Sequence, residues 1–157
     1  MSRPGYESED NRRAERRVKR WLERNFGWSL IKLENRERAE WDVRDHDGIL
    51  VEVAEFKERN IAIHSPMIMR DGVMLSNSKA LACQQRATRE DVPFTFYVMD
   101  RHALWACNMD GLGHWPVKQY SGRTFDTRDV WDVEPCVMIP GDQFERLASR
   151  EEVEQSA

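Results

Sequence analysis

Two carboxylates and a lysine are the residues of this chain best placed to do chemistry. Glu55 and Lys57 sit two apart in the segment Ile49–Lys57, ILVEVAEFK. Side chains on a strand alternate faces, so E-x-K sets a carboxylate beside an ammonium, together with Ile49, Val51 and Val53. Upstream, Trp41-Asp42-Val43-Arg44 reads as a preceding strand, and Asp47-Gly48 marks a tight hairpin turn. With a two-residue turn, His46 faces Ile49, Arg44 faces Val51 and Asp42 faces Val53. Asp42 then lies diagonal to Glu55, at roughly 7–8 Å between backbones, close enough for both carboxylates to share an ion. With a three-residue turn of His46, Asp47 and Gly48, Asp42 faces Glu52 instead, and the position two along holds Ala54 rather than a lysine. The spacing leaves both registers open.

Two hard oxygen ligands with room for water suit Mg²⁺, with Mn²⁺ as its substitute, because Mg²⁺ prefers octahedral oxygen coordination and seldom receives a complete protein cage. Such an ion acidifies a bound water, holds a phosphate oxygen and stabilises a leaving alkoxide. A lysine beside it can orient or deprotonate the attacking water, or balance transition-state charge. The chemistry indicated is phosphodiester hydrolysis. The competing reading is a surface hairpin whose Asp42, Glu55 and Lys57 form ordinary cross-strand ion pairs, a real contender where 33% of residues are charged. What favours a site is its setting among the neighbouring elements.

Those elements follow from the pattern. Ser8 can cap a helix whose Ala14, Val18, Trp21 and Leu22 keep a helical rhythm to about Asn25 and Gly27. Trp28–Leu33 alternates as a strand, and ENRERAE is a connection to the strand bearing Asp42. Residues 61–73, interrupted by Pro66 and Asp71-Gly72, fit either an irregular strand or a flap. Ser76 or Ser78 can start a second helix through Lys79, Leu81, Cys83 and Ala87, ending before Pro93. Phe94–Met99 and Ala103–Cys107 read as strands, and Cys136–Ile139 as one short strand among loops. Asp142 with Glu145 has the look of a capping box opening a final helix that bears Phe144, Leu147 and Ala148, with a fraying acidic end.

Composition bounds the remaining readings. With 157 residues and 40% hydrophobic content, one domain spanning 1–157 is expected: a core over about 9–107 and an extension over 108–157. No run of about 18 apolar residues is present, and the N-terminus is charged, so neither a membrane span nor export is expected and the cytoplasm, a host's if the protein is viral, is the expected compartment. Three cysteines without a C-x-x-C pair argue against a disulfide framework or thiolate zinc site, and the histidines lack paired spacing. No P-loop or dinucleotide fingerprint occurs, so no nucleotide cofactor is expected. The net charge of −4 hides a basic stretch: residues 11–24 hold seven basic side chains against two acids, a balance of +5 that leaves −9 elsewhere. Arg12, Arg16 and Lys19 in that stretch could contact phosphates, although a basic helix face is as often simply solvated.

The run from Asp42 to Asn60, DVRDHDGILVEVAEFKERN, followed by a helix from SNSK and the strand VPFTFYVMD, resembles the PD-(D/E)xK nuclease superfamily, particularly its small phage-type members. The resemblance covers about Glu9 to Cys107. It implies an α/β fold with a restriction-endonuclease-like core, a central mixed sheet flanked by helices in the order α-β-β-β-α-β, plus the C-terminal extension. It maps the family's catalytic acid, E and K onto Asp42, Glu55 and Lys57, with the backbone carbonyl of Phe56 as a further metal ligand. Many members add a first-helix glutamate, and Glu15 borders the buried stripe where that residue would lie. Lys79 on the second helix matches a helix lysine that lies near DNA in some members; separately, Arg59, two beyond Lys57 on the same face, could hold a phosphate or be simply an exposed strand-end arginine. Trp41 stands where the family has proline, and the gap from Asp42 to Glu55 is on the long side. The resemblance implies a Mg²⁺-dependent DNA endonuclease or resolvase-like enzyme, as a homodimer if the substrate is branched DNA. The alternatives are a degenerate nuclease fold that binds DNA or protein, and a small interaction protein acting through its acidic surface.

Overall fold

The computed structural model describes residues 9–32, 40–110, 115–121 and 133–155. Helix α1 (Glu9–Phe26) leads into β1 (Ser29–Lys32), β2 (Trp41–Arg44) and β3 (Leu50–Glu58). A short α2 (Pro66–Asp71), β4 (Val73–Ser76) and α3 (Asn77–Glu90) then cross over to β5 (Phe94–Met99) and β6 (Ala103–Asn108). After β7 (Val117–Ser121) and β8 (Val133–Ile139), a 3₁₀ turn (Gly141–Gln143) precedes β9 (Glu145–Ser149) and α4 (Arg150–Glu154).

Six strands form the central sheet in the order β1-β2-β3-β5-β6-β9, with β3 and β5 parallel and the other neighbours antiparallel. The sheet is mixed because a helix-bearing crossover separates β3 from β5, whereas tight turns join β2 to β3 and β5 to β6. On one face, Val18 and Leu22 of α1 pack with Leu30, Trp41, Val43, Ala54 and Tyr97. On the other, Ala80, Cys83 and Ala87 of α3 pack with Val53, Phe96 and Val98, and a second sheet, β4-β8-β7, closes over this layer through Leu75, Val137 and Ile139. Helices thus flank the sheet on both faces, as expected, and the α-β-β-β-α-β core is present with two short insertions before α3. Cys83, Cys107 and Cys136 are buried and form no disulfide among the described residues.

Three readings change. The stretch left open becomes α2, capped by the Ser65 side chain with Pro66 in the first turn, followed by β4. Proline suits a first helical turn because its missing N–H would be unpaired there in any case. The single late strand is longer and gains β7 as a partner. The predicted final helix from Asp142 is instead β9, which covers the open edge of β6 with Leu104 paired to Ala148. Its spacing of apolar residues satisfied a helix, but an uncovered sheet edge leaves backbone groups unpaired, and that demand prevails. The helix comes later: Ser149 and Glu152 form the capping box, and the acidic end is anchored by fully buried Val153.

Candidate catalytic site

The hairpin between β2 and β3 determines which acids meet. Asp45 Oδ1 accepts hydrogen bonds from the backbone N–H groups of Asp47 (2.9 Å) and Ile49 (3.0 Å), and Gly48 takes φ +81°, which a glycine adopts without strain. This turn is longer than the two-residue form and pairs Arg44 with Leu50, not Val51. Continued unchanged, that register would set Asp42 opposite Glu52. A bulge at Val51 adds one residue to β3, so Val43 pairs with Glu52 and Asp42 with Val53. Both registers open to the sequence therefore occur, one on each side of the bulge. The one reaching the site places Asp42, Val53, Glu55 and Lys57 on the α3 face.

Beyond the Trp41–Ala54 pair β2 ends, while β3 continues to Glu58 against β5 alone. Glu55 lies in this fork, 2% exposed, with Lys57 Nζ 3.6 Å away. Burial raises the Glu55 carboxyl above the usual range and Glu40 adds to this, against the pull of Lys57 and Lys79. Burial likewise lowers Lys57 to about 8; Glu55 resists, and Lys79 and Arg59 reinforce the fall. Lys79, in the first turn of α3, thus faces the pair. Arg59 is half-buried, its Nε without a hydrogen-bond partner among the described residues. Phe56 turns its ring toward the α1 core, leaving its backbone between Glu55 and Lys57.

Asp42 is differently engaged. Arg86 of α3 reaches it with both terminal nitrogens, Nη1 on Oδ1 and Nη2 on Oδ2 at 2.8 Å, and Arg44 Nη2 adds 3.2 Å to Oδ2. Burial pushes the Asp42 carboxyl up, but the two arginines outweigh it and hold it below the ordinary range. Arg86 escaped the sequence reading, yet it lies seven residues beyond Lys79 and so on the same helical face. Glu40 was also missed. It falls two before Asp42, in what was taken as a connection, and strand alternation assigns it to the same face.

Other candidates lie elsewhere. Glu15 is on the opposite side of the sheet, accepting a hydrogen bond from Trp41 Nε1 (2.9 Å) and pairing with Lys32 (3.3 Å). The first-helix glutamate is thus not brought to Glu55, because Trp41, adjacent to Asp42, points to the α1 face. Arg16 and Lys19 are on that same far-side helix, Arg16 exposed and Lys19 half-buried; Arg12 is also in α1, but its side chain lies outside the described residues.

A family model described as "Phage putative PDDEXK endonuclease" matches residues 1–147. The chain belongs to this family. No curated protein and no solved structure matches significantly. Membership accounts for the mixed sheet and the order of its core, and places the phage-type PDDEXK chain among nucleases. Among the described residues no helix is long and apolar enough to cross a membrane.

Such nucleases generally use divalent metal ions. Among the described residues no three His, Cys, Asp or Glu side chains gather closely enough to hold one. The donors at the fork are nevertheless all hard oxygens, and buried Glu40 Oε1 has no hydrogen-bond partner there. That set fits a hard divalent cation completing its shell with water.

Proposed function

We propose that this PDDEXK protein is a Mg²⁺-dependent DNA endonuclease, with Mn²⁺ able to replace Mg²⁺, acting at the fork between β2 and β3. The observation that supports it is the bulge-set register, which puts the motif acid Asp42, Glu55 and Lys57 on one face beneath Lys79. Glu55 and the carbonyl of Phe56 would hold the cation together with a carboxylate from the start of β2. When bound, the ion would supply Lewis acidity to a phosphate oxygen and to water.

The chain's own groups have separate tasks. Lys57, lowered to about 8, is a substantial fraction neutral in mildly alkaline solution and can take a proton at Nζ from the attacking water. Lys79 and Arg59 bring positive charge to the same face and would hold the phosphate. Arg12, Arg16 and Lys19, being on α1, would meet DNA only where it wraps beyond the site. A homodimer would follow if the substrate is branched.

The decisive experiment is cleavage of supercoiled, single-stranded and four-way-junction DNA with Mg²⁺, Mn²⁺ or EDTA, comparing wild type with Lys57→Ala. Metal-dependent cutting that disappears in the variant is expected. No cutting by folded wild type in either metal would leave a second reading in front, a nucleic-acid-binding module without activity. The engagement of Asp42 by two arginines favours that reading.

A further inference from the structure

Resting on the nuclease reading above, we propose that Glu40, rather than Asp42, is the carboxylate that joins Glu55 in holding the divalent cation, and that Asp42 instead fixes Arg86 on α3. The register gives the first reason. Trp41–Ala54 is the last pair of the ladder, so Glu40 stands next to it at the mouth of the fork, on the Glu55 side by strand alternation, whereas Asp42 is opposite Val53, two residues before Glu55.

Occupancy gives the second. Both oxygens of Asp42 are taken: Oδ1 by Arg86, and Oδ2 by Arg86 at 2.8 Å and Arg44 at 3.2 Å. A cation bound there would displace charge-assisted hydrogen bonds of the strongest kind in proteins. Glu40 is the reverse case. It is 2% exposed, and its buried Oε1 has no hydrogen-bond partner among the described residues. A buried carboxylate oxygen left unpaired is costly, and a cation is the partner that would relieve it.

Proximity gives the third. The charge of Glu40 bears on both Glu55 and Arg86, so its carboxylate lies near the acid of the fork and near the arginine held by Asp42. A divalent ion shared by Glu40 and Glu55 would turn their mutual repulsion into common ligation. The E-x-D spacing of Glu40 and Asp42 then divides two tasks between neighbouring positions on one face, ligation at 40 and anchoring of α3 at 42.

The test is Mn²⁺ binding by isothermal titration to DNA-free protein, independent of cleavage, for wild type, Glu40→Gln, Asp42→Asn and Glu55→Gln, each checked for fold by circular dichroism. Glu40→Gln and Glu55→Gln are expected to weaken Mn²⁺ binding by about tenfold or more, with Asp42→Asn close to wild type in affinity. A loss in Asp42→Asn as large as or larger than that in Glu40→Gln overturns the assignment and leaves the nuclease reading standing. Wild type that neither binds Mn²⁺ nor cuts DNA overturns both. Should Asp42→Asn fail to fold, Glu40→Gln made in an Arg86→Gln background decides: a loss of Mn²⁺ affinity as large as in Glu40→Gln alone supports Glu40, and affinity unaffected by Glu40→Gln in that background restores Asp42 as the ligand.

Discussion

Arg86 and Asp42, 44 residues apart in the chain, tie α3 to β2 through a two-nitrogen contact on a carboxylate that is 4% exposed. The contact spans two layers of the fold, so it holds α3, and with it Lys79, against the face carrying Glu55 and Lys57.

Removing Arg86 should therefore cost stability. Arg44 remains as a partner for Asp42, so the loss for Arg86→Leu should fall below the full cost of stranding a buried charge, at about 2 kcal/mol, which for a chain of this size lowers Tm by roughly 4–8 °C. The Asp42 carboxyl is held below its ordinary pKa, so the contact's contribution is present above the unfolded value of 3.8 and lost as pH falls through the folded one. Thermal melts from pH 7 to pH 3 in EDTA should show wild type and variant converging in acid. A constant gap would contradict the ion pair.

Lys57 predicts a slope of the same sign on the alkaline side. Its folded pKa of about 8 lies below the ordinary 10.5. Below pH 8 both states carry the proton and the cost of burying the ammonium is fully present. Between about 8 and 10.5 the unfolded chain holds a proton that the folded chain has released, so stability rises with pH. Metal-free wild type should gain Tm across this window relative to Lys57→Met. Parallel curves for the two proteins would show that Lys57 titrates normally.

Much of this arrangement was legible in the chain. The β3 strand announces itself through β-branched residues and E-x-K, and alternation alone assigns Glu55 and Lys57 to one face. What could not be read was the bulge at Val51. It depends on a local extra residue that restores Asp42 to the Glu55 face after a turn that would have opposed it to Glu52, and no composition rule marks such a residue. Arg86 and Glu40 were recoverable, one by helical spacing from Lys79 and the other by strand spacing from Asp42. Glu15 misled because it does border the stripe of α1, yet that stripe faces the other side of the sheet. β9 misled because its spacing suits a helix equally, and only the open edge of β6 decides.

Glu52 offers a test of the fold independent of any activity. It lies on the α1 face, 7% exposed, accepting hydrogen bonds from the Tyr97 hydroxyl and from Thr95 Oγ1 at 3.1 Å, without a cationic partner among the described residues. Burial raises its carboxyl above 4.5 despite both hydrogen bonds. Its contribution is thus favourable below 4.5 and lost as pH rises through the folded value. Glu52→Gln keeps an oxygen for Tyr97 and can donate to Thr95, so at pH 7.5 it should stabilise the fold by on the order of 1 kcal/mol, raising Tm by about 2–4 °C. A lowered Tm at that pH would mean that Glu52 is ionised and well compensated.

Glu15 tests the placement of α1. If a first-helix glutamate completed the site, Glu15→Ala would abolish cleavage. Here Glu15 holds the Trp41 indole at 2.9 Å and Lys32 at 3.3 Å on the face away from Lys57. Its loss removes a charge-assisted hydrogen bond and one part-buried ion pair, so stability should drop by about 1–2 kcal/mol. Cleavage, measured below the lowered melting temperature, should persist near the wild-type rate, because Asp42 is held from α3 rather than from α1. A rate that collapses while the fold persists would place Glu15 in the reaction and require α1 to reach around the edge of β2 to the fork.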